Sequence, residues 1–456
     1  EEINIDQSSV ENFSRQLNLL IENKIKLAVC GPVDAGKSSL IGVLTKGSLD
    51  NGRGSARNKV LIHKHEIESG RTSNITINPL IYTRDEKGLN LKDTTDKTLH
   101  QINDETDGPR KKIIQLIDLA GHEKYLKTTV FGVTGLFPDY GFVVIGANTG
   151  ITRLTKEHIG ILLYLKIPII IIITKIDIAP EHIYKKLCNR LKRLLQNKTF
   201  GKVLYFVSDK DGDKNTNHYI NHMIGNPDII PIISLSNKIG TNVNNLHRIL
   251  YRLPPREMWL KEDIPGSIMY IDATFQVPGI GLVLSGTIKG DDIAVKDRLY
   301  LGPFNGKFKE ITIRSIHNNI RQHVNELKNG DTGTCAIKST NTKDPIERDM
   351  IRKGMVLINS LDKFKNNITS KFIARVTILQ HSTTIKSGYT PVIQCGPIRQ
   401  AARIETTEEK NLRCNDSSIV TFTFKYHPEF IEKKMVFFFR DGNTKGVGEV
   451  IDLIND

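Results

Sequence analysis

Apolar positions in the first half of the chain fall into short solid runs separated by stretches with helical spacing. Ile25 to Cys30, Ile113 to Ile117, Gly141 to Ile145, Ile169 to Ile173 and Ile229 to Ile233 read as strands. His158 to Leu165 and Glu181 to Leu195 repeat their apolar residues at helical intervals between them. This alternation predicts a mostly parallel α/β sheet over residues 23–258. Ahead of it, Ser8 and Glu11 have capping-box spacing, and Val10, Phe13, Leu17 and Leu20 share one face, so residues 1–22 are expected to hold a short helix. Two polar stretches, Arg84 to Lys111 and Ser208 to Asp228, carry few apolar residues and read as surface insertions.

The texture changes after Leu253-Pro254-Pro255. Tyr270 to Val277, Gly281 to Ile288, Ile311 to Ile316 and Thr332 to Ile337 are short runs punctuated by glycine, the mark of a β-barrel expected over residues 266–362. A second set follows Lys363 to Asn367: Phe372 to Leu379, Pro391 to Cys395, Ser418 to Phe424, Met435 to Phe439 and Gly446 to Leu453. It predicts a second barrel over residues 368–456. No short repeat runs through these halves, which excludes a solenoid.

Composition narrows the class. Hydrophobic residues make up 39% and charged residues 25% of the 456, so each part can bury a core. The formal charge of +14 favours polyanionic partners such as RNA, with acidic protein surfaces as the alternative. Cys30, Cys188, Cys335, Cys395 and Cys414 are scattered, with no C-x-x-C pair, which argues against a zinc ribbon or disulfide framework and for a reducing compartment. The longest apolar run, Ile167 to Ile173, is too short to span a bilayer, so no membrane partner is expected and the expected location is cytoplasmic.

Gly31-Pro-Val-Asp34-Ala35-Gly36-Lys37-Ser38 follows an apolar run and opens a helical stretch. In that context G-x-x-x-x-G-K-[ST] is a phosphate-binding loop: the N–H groups from Asp34 to Ser39 close around phosphates, Lys37 offsets their charge, and the Ser38 hydroxyl can ligate Mg²⁺. Asp118-Leu-Ala-Gly121 ends another strand, where a carboxylate can reach Mg²⁺ through water and a glycine N–H can meet the terminal phosphate. Alone it reads equally well as a strand-end turn. Thr174-Lys175-Ile176-Asp177 leaves the most apolar strand at its carboxyl end, where open α/β sheets bind ligands, and the Asp177 carboxylate matches the N1–H and exocyclic amine of guanine. Ser236-Asn237 follows the next strand and can offer backbone contacts to guanine O6; a plain loop is the alternative.

The order of these motifs resembles the GTPase signature set, and His122 in Asp-Leu-Ala-Gly-His-Glu resembles its translational branch. The later runs resemble the second and third domains of elongation factor Tu, through Val277-Pro-Gly-Ile-Gly281-Leu-Val-Leu-Ser-Gly286-Thr and Phe439-Arg-Asp-Gly-Asn-Thr-Lys-Gly446-Val-Gly448. A nearer resemblance is to the GTP-binding protein 1 group, through Leu49-Asp-Asn-Gly-Arg-Gly54, His63-Lys-His-Glu-Ile-Glu-Ser-Gly-Arg-Thr72 and Leu119-Ala-Gly-His-Glu-Lys-Tyr-Leu-Lys-Thr-Thr129.

The resemblance implies an α/β P-loop GTPase domain followed by two β-barrels. It implies binding of GTP or GDP with Mg²⁺, and ribosome-stimulated hydrolysis of GTP. Ribosome and aminoacyl-tRNA are the implied partners, with RNA-decay machinery as a further one. Thr72 then resembles the switch threonine that ligates Mg²⁺, and His122 the residue that orients the attacking water. A ribosome-rescue or mRNA-surveillance factor, a decay scaffold with little hydrolysis, and an auxiliary GTPase for a metabolic enzyme share the same motifs. Three positions depart from the elongation-factor pattern. Thr174 replaces Asn, which puts a base contact and a tie to the P-loop in question; Ala35 replaces His; Arg71 replaces an aliphatic residue.

Overall fold

The computed structural model describes residues 24–61, 75–83, 111–122, 126–197, 200–208, 220, 223, 228–255, 264–318, 322–341, 343–380, 384–406, 412–413, 417–441 and 444–454. The expected helix at Ser8 to Leu20, the switch residues Arg71 and Thr72, and nearly all of both polar insertions lie outside the described residues. The chain divides into an α/β unit, Glu1–Gly132 with Pro138–Lys261, and an all-β unit, Val133–Phe137 with Glu262–Asp456.

The α/β unit is a seven-stranded sheet built from β1 (Lys24–Cys30), β2 (Thr76–Thr83), β3 (Lys111–Asp118), β4 (Tyr140–Gly146), β5 (Ile169–Thr174), β6 (Val203–Phe206) and β7 (Ile229–Ser234). Its order is β2-β3-β1-β4-β5-β7-β6, parallel except for β2. The five runs expected as strands are β1, β3, β4, β5 and β7, and they are the inner ones; every residue of β4 and β5 is buried. The other two strands, β2 and β6, sit at the edges. β2 carries Pro79, which an edge tolerates because one side of the strand needs no donor.

The helices are α1 (Lys37–Lys46), α2 (Ser55–Asn58), α3 (Leu126–Gly135), α4 (Arg153–Tyr164), α5 (Glu181–Leu195) and α6 (Val243–Arg252). α5 matches its predicted span, with Leu187, Leu191 and Leu195 buried and its basic residues on the outer side. α4 starts earlier than the apolar spacing implied because Thr152 and Thr155 form a reciprocal cap. Far from the loops after β1, Lys112 of β3 is buried and donates to the carbonyls of Tyr251 (2.5 Å) and Leu253 (2.6 Å), closing the C-terminal end of α6.

The all-β unit holds two closed barrels. In the first, 298–304, 356–358, 267–277, 281–290, 332–339 and 307–318 pair in a ring around Met269, Ile271, Leu284, Leu299, Ile313 and Cys335. In the second, 371–380, 417–424, 398–406, 392–395, 436–441 and 444–454 close around a phenylalanine core. Phe437 and Phe439 face Gly448 and Gly446 across the last strand pair. A Cβ on Gly446 would lie 2.0 Å from the Phe439 ring and one on Gly448 2.3 Å from the Phe437 ring, so these glycines make room for the aromatic core. The barrels meet along a seam. Arg352 donates to buried Glu429 (2.5 Å) and to the carbonyl of Pro428, Gln400 Nε2 donates to the other Glu429 oxygen (2.7 Å), and Tyr270 bonds Glu432. Phe364, Phe430 and Tyr270 pack beside them.

Candidate functional site

Parallel register brings the carboxyl ends of the inner strands level. Val29 of β1 lies opposite Asp118 of β3, Gly146 of β4 opposite Thr174 of β5, and Ile173 of β5 opposite Ser234 of β7. The segments that follow these ends therefore converge on one edge of the sheet.

After β1 the chain turns tightly into α1. Asp34 (φ 60°) and Gly36 (φ 88°) take left-handed conformations, and Gly36, at the N-terminus of α1, offers no side chain to cap its first turn. Ala35 is buried in the core of the sheet, so this position serves packing. Lys37 is buried, its amine donating to the Pro32 carbonyl at 3.0 Å. Burial lowers the Lys37 pKa, and the Asp118 carboxylate opposes that shift. The Ser38 hydroxyl donates to Asp118 Oδ2 at 2.8 Å; Ser39 follows in the same turn, partly exposed.

Asp118, at the end of β3, is almost fully buried. Gly121 follows three residues later, against the loop: a Cβ there would lie 2.3 Å from Lys37 Nζ and 2.9 Å from the Gly31 carbonyl oxygen. His122 comes next and is exposed.

The third corner lies beyond β5 and β7. Thr174 Oγ1 donates to the Ala35 carbonyl at 2.6 Å and reaches the Ile145 carbonyl at 3.4 Å. A tie to the P-loop therefore exists although threonine stands in place of asparagine, because the shorter side chain still reaches the loop carbonyl. Asn237 supplies another link, its Nδ2 donating to Gly36 O at 3.4 Å. Lys175 takes a left-handed backbone (φ 60°) that swings the chain outward. Asp177 is exposed, and the Ser236 hydroxyl donates to its Oδ1 at 2.8 Å while accepting from the N–H groups of Lys238 and Ile239. Ser236 thus orients the carboxylate, whereas sequence reading gave it only backbone contacts.

The structure also buries a helical residue that belongs to none of the motifs. His158 of α4 has neither ring nitrogen hydrogen-bonded among the described residues, and burial, with the Lys37 charge adding to it, lowers its pKa to about 3. A lone histidine on an apolar helix face carries no sequence signal for such a position.

The family described as Elongation factor Tu GTP binding domain matches residues 22–256, the segment that builds this sheet edge. GTP-binding protein 2 of Homo sapiens is 35% identical over 434 residues, covering 94% of this chain and 69% of the relative. The chain belongs to the elongation factor Tu-like translational GTPases, in the group of GTP-binding proteins 1 and 2. GTP-binding protein 1 of Xenopus laevis is 40% identical over 94% of this chain, and the chain spans 64% of that relative's length. Among solved structures, a bacterial selenocysteine-specific elongation factor, EF-Sec, superposes with a TM-score of 0.63 at 17% identity over 93% of this chain and 58% of that one. SelB of Methanococcus maripaludis, in complex with the GTP analogue GppNHp, gives 0.61 at 19% identity over 94% and 79%. These likenesses confirm the α/β domain followed by two barrels as the fold of a translational GTPase. Guanine nucleotide binding follows from the family. Among the described residues no helix is long and apolar enough to cross a membrane.

Proposed function

We propose that this chain is a ribosome-stimulated GTPase of elongation-factor type that binds aminoacyl-tRNA in its GTP state. The observation that supports it most is the meeting, at one sheet edge, of the Lys37 loop, the Ser38–Asp118 pair and the Asp177–Ser236 pair. A phosphate chain running along the first and a purine against the last would leave the Ser38–Asp118 pair beside the phosphates.

In this reading the N–H groups from Asp34 to Ser39 surround the β-phosphate, Lys37 leaves the Pro32 carbonyl for the β and γ oxygens, and Gly121 offers its N–H to the γ-phosphate. Asp177 accepts from guanine N1–H and its exocyclic amine, Lys175 lies along the base, Thr174 fixes the P-loop, and Ser236 and Asn237 complete the base loop. Ser38 and Asp118 are adjacent hard oxygen donors at hydrogen-bond distance, a set that fits Mg²⁺, with Thr72 completing it and Asp118 acting through water. Bound there, Mg²⁺ would neutralise charge on the β and γ oxygens. His122, exposed beside Gly121, positions the attacking water, since phosphoryl transfer asks mainly for alignment and charge stabilisation.

The +14 charge supports an RNA cargo, and the family supports ribosome and tRNA as partners in the cytoplasm. The test is filter binding of charged tRNA in two nucleotide states. We expect at least ten-fold tighter binding with a non-hydrolysable GTP analogue than with GDP, a coupling of about 1.4 kcal/mol or more. Equal affinity would favour a decay scaffold with nonspecific basic attraction. State-dependent ribosome binding without tRNA preference would favour a surveillance factor.

A further inference from the structure

The Leu49-Asp-Asn-Gly-Arg-Gly54 run has no place in the reading above, yet it folds tightly. The Asp50 carboxylate accepts from the N–H groups of Ala56 (2.9 Å), Gly52 (3.1 Å) and Gly54 (3.3 Å) and from the Ser55 hydroxyl (3.3 Å). Asn51 Oδ1 takes the N–H groups of Arg53 and Ser55, and Gly52 and Gly54 supply the left-handed backbone that lets these donors converge. At its far end the turn is held by α1 and α6. A Cβ on Gly42 would lie 2.2 Å from the Ala56 carbonyl oxygen, and Ala56 packs with Val43 and Val243.

At its near end the turn braces the loop after β7. The Asp50 N–H donates to the Asn237 carbonyl at 2.9 Å, Leu49 lies against Gly240, and the Lys238 stem lies over Gly52. That loop holds Ser236, which orients Asp177, and Asn237, which reaches the P-loop. The brace thus holds the backbone of the loop from outside, while Ser236 and Asn237 work on its inner side.

We infer that Asp50 is a positioning residue for guanine recognition: its turn braces the Ser236–Gly240 loop, setting nucleotide release and base selectivity. This rests on the assignment of Asp177 and Ser236 to the base. It also makes the stretch between Ser38 and Thr72 a two-part element, whose first part is folded onto the base loop before the chain reaches the switch threonine. Asp50 itself touches no nucleotide in this scheme. Its charge is consumed by the turn, and its effect passes through the backbone of Asn237.

Fluorescent GDP release and the GDP-to-ADP affinity ratio test this on the intact chain. Asp50→Ala, which leaves the turn's N–H groups without their acceptor, should release GDP roughly ten-fold faster and shrink the ratio similarly, with ADP affinity nearly constant. Asp50→Asn keeps one acceptor oxygen and should recover part of the loss. Leu49→Ala, at a half-exposed position outside the buried core, should shift release in the same direction by less. Equal weakening of GDP and ADP would mean general destabilisation and overturn the inference, as would unchanged release in both Asp50→Ala and Leu49→Ala. The base assignment fails separately, if Asp177→Asn leaves guanine preferred over xanthine.

Discussion

Thr174→Val tests how the two halves of the nucleotide site are joined. Valine keeps the shape of threonine but cannot donate, so the Ala35 carbonyl loses a 2.6 Å hydrogen bond at a fully buried position. Leaving a buried acceptor unpaired costs about 1–3 kcal/mol, and the remaining link, Asn237 to Gly36 O at 3.4 Å, is too long to replace it. Ala35 and Gly36 belong to the loop that must hold its N–H groups in register, so the cost should appear in nucleotide binding. We expect GDP and GTP-analogue dissociation constants to rise by about 5- to 100-fold, since each 1.4 kcal/mol is a factor of ten. Base selectivity should stay unchanged, because Asp177 keeps its Ser236 partner. Isothermal titration calorimetry with GDP and with xanthosine diphosphate measures both quantities. Dissociation constants within two-fold of the parent would refute the claim that Thr174 pre-forms the loop. A loss confined to guanine would instead move its role to the base.

Asp177→Asn should exchange the preference for guanine for xanthine nucleotides at a cost to GTP of about 2–4 kcal/mol, read by competition binding. Gly121→Ala should abolish tight GTP binding while leaving the fold intact, because a methyl group there meets Lys37 Nζ and the backbone of Gly31 and Pro32; retained affinity would place Gly121 away from the phosphates. His122→Ala should keep GTP affinity and lose most ribosome-stimulated single-turnover hydrolysis, and parental rates would remove it from the chemistry. Acid should weaken the α/β unit early. Burial lowers the pKa of His158 to about 3 and of His247 to about 4, so both stay neutral when folded but take up protons near pH 6.5 when unfolded. Their contribution is complete above pH 6.5 and lost as pH falls toward 4, up to about 3 kcal/mol for His158 by pH 4. Urea melts across that range should show the decline, and His158→Phe should flatten it.

Placements that are set by neighbours in the chain were legible. A solid apolar run followed by the glycine-rich loop and Lys37-Ser38 specifies strand, turn and helix at once, and the places of Asp118, the last residue of β3, and Asp177, three residues beyond β5, follow from the strands before them. What escaped depends on contacts between distant segments. Edge strand β2 is interrupted by Asn78 and Pro79, and β6, although apolar throughout, is a run of only four residues, too short to stand out from the segments around it. That Thr174 keeps a link to the P-loop turns on which carbonyl its hydroxyl meets across the sheet. The glycines at 446 and 448 served as markers of resemblance, but their reason is the pair of phenylalanine rings opposite.

The seam between the barrels changes what counts as a separable part of this chain. Arg352 comes from one barrel and Glu429 from the other, and removing either barrel would strand a charge that its partner had neutralised. The second half of the chain therefore behaves as a single handle. A molecule that grips either barrel therefore takes hold of a unit whose other half is tied to it through Arg352, Glu429 and the aromatic packing beside them.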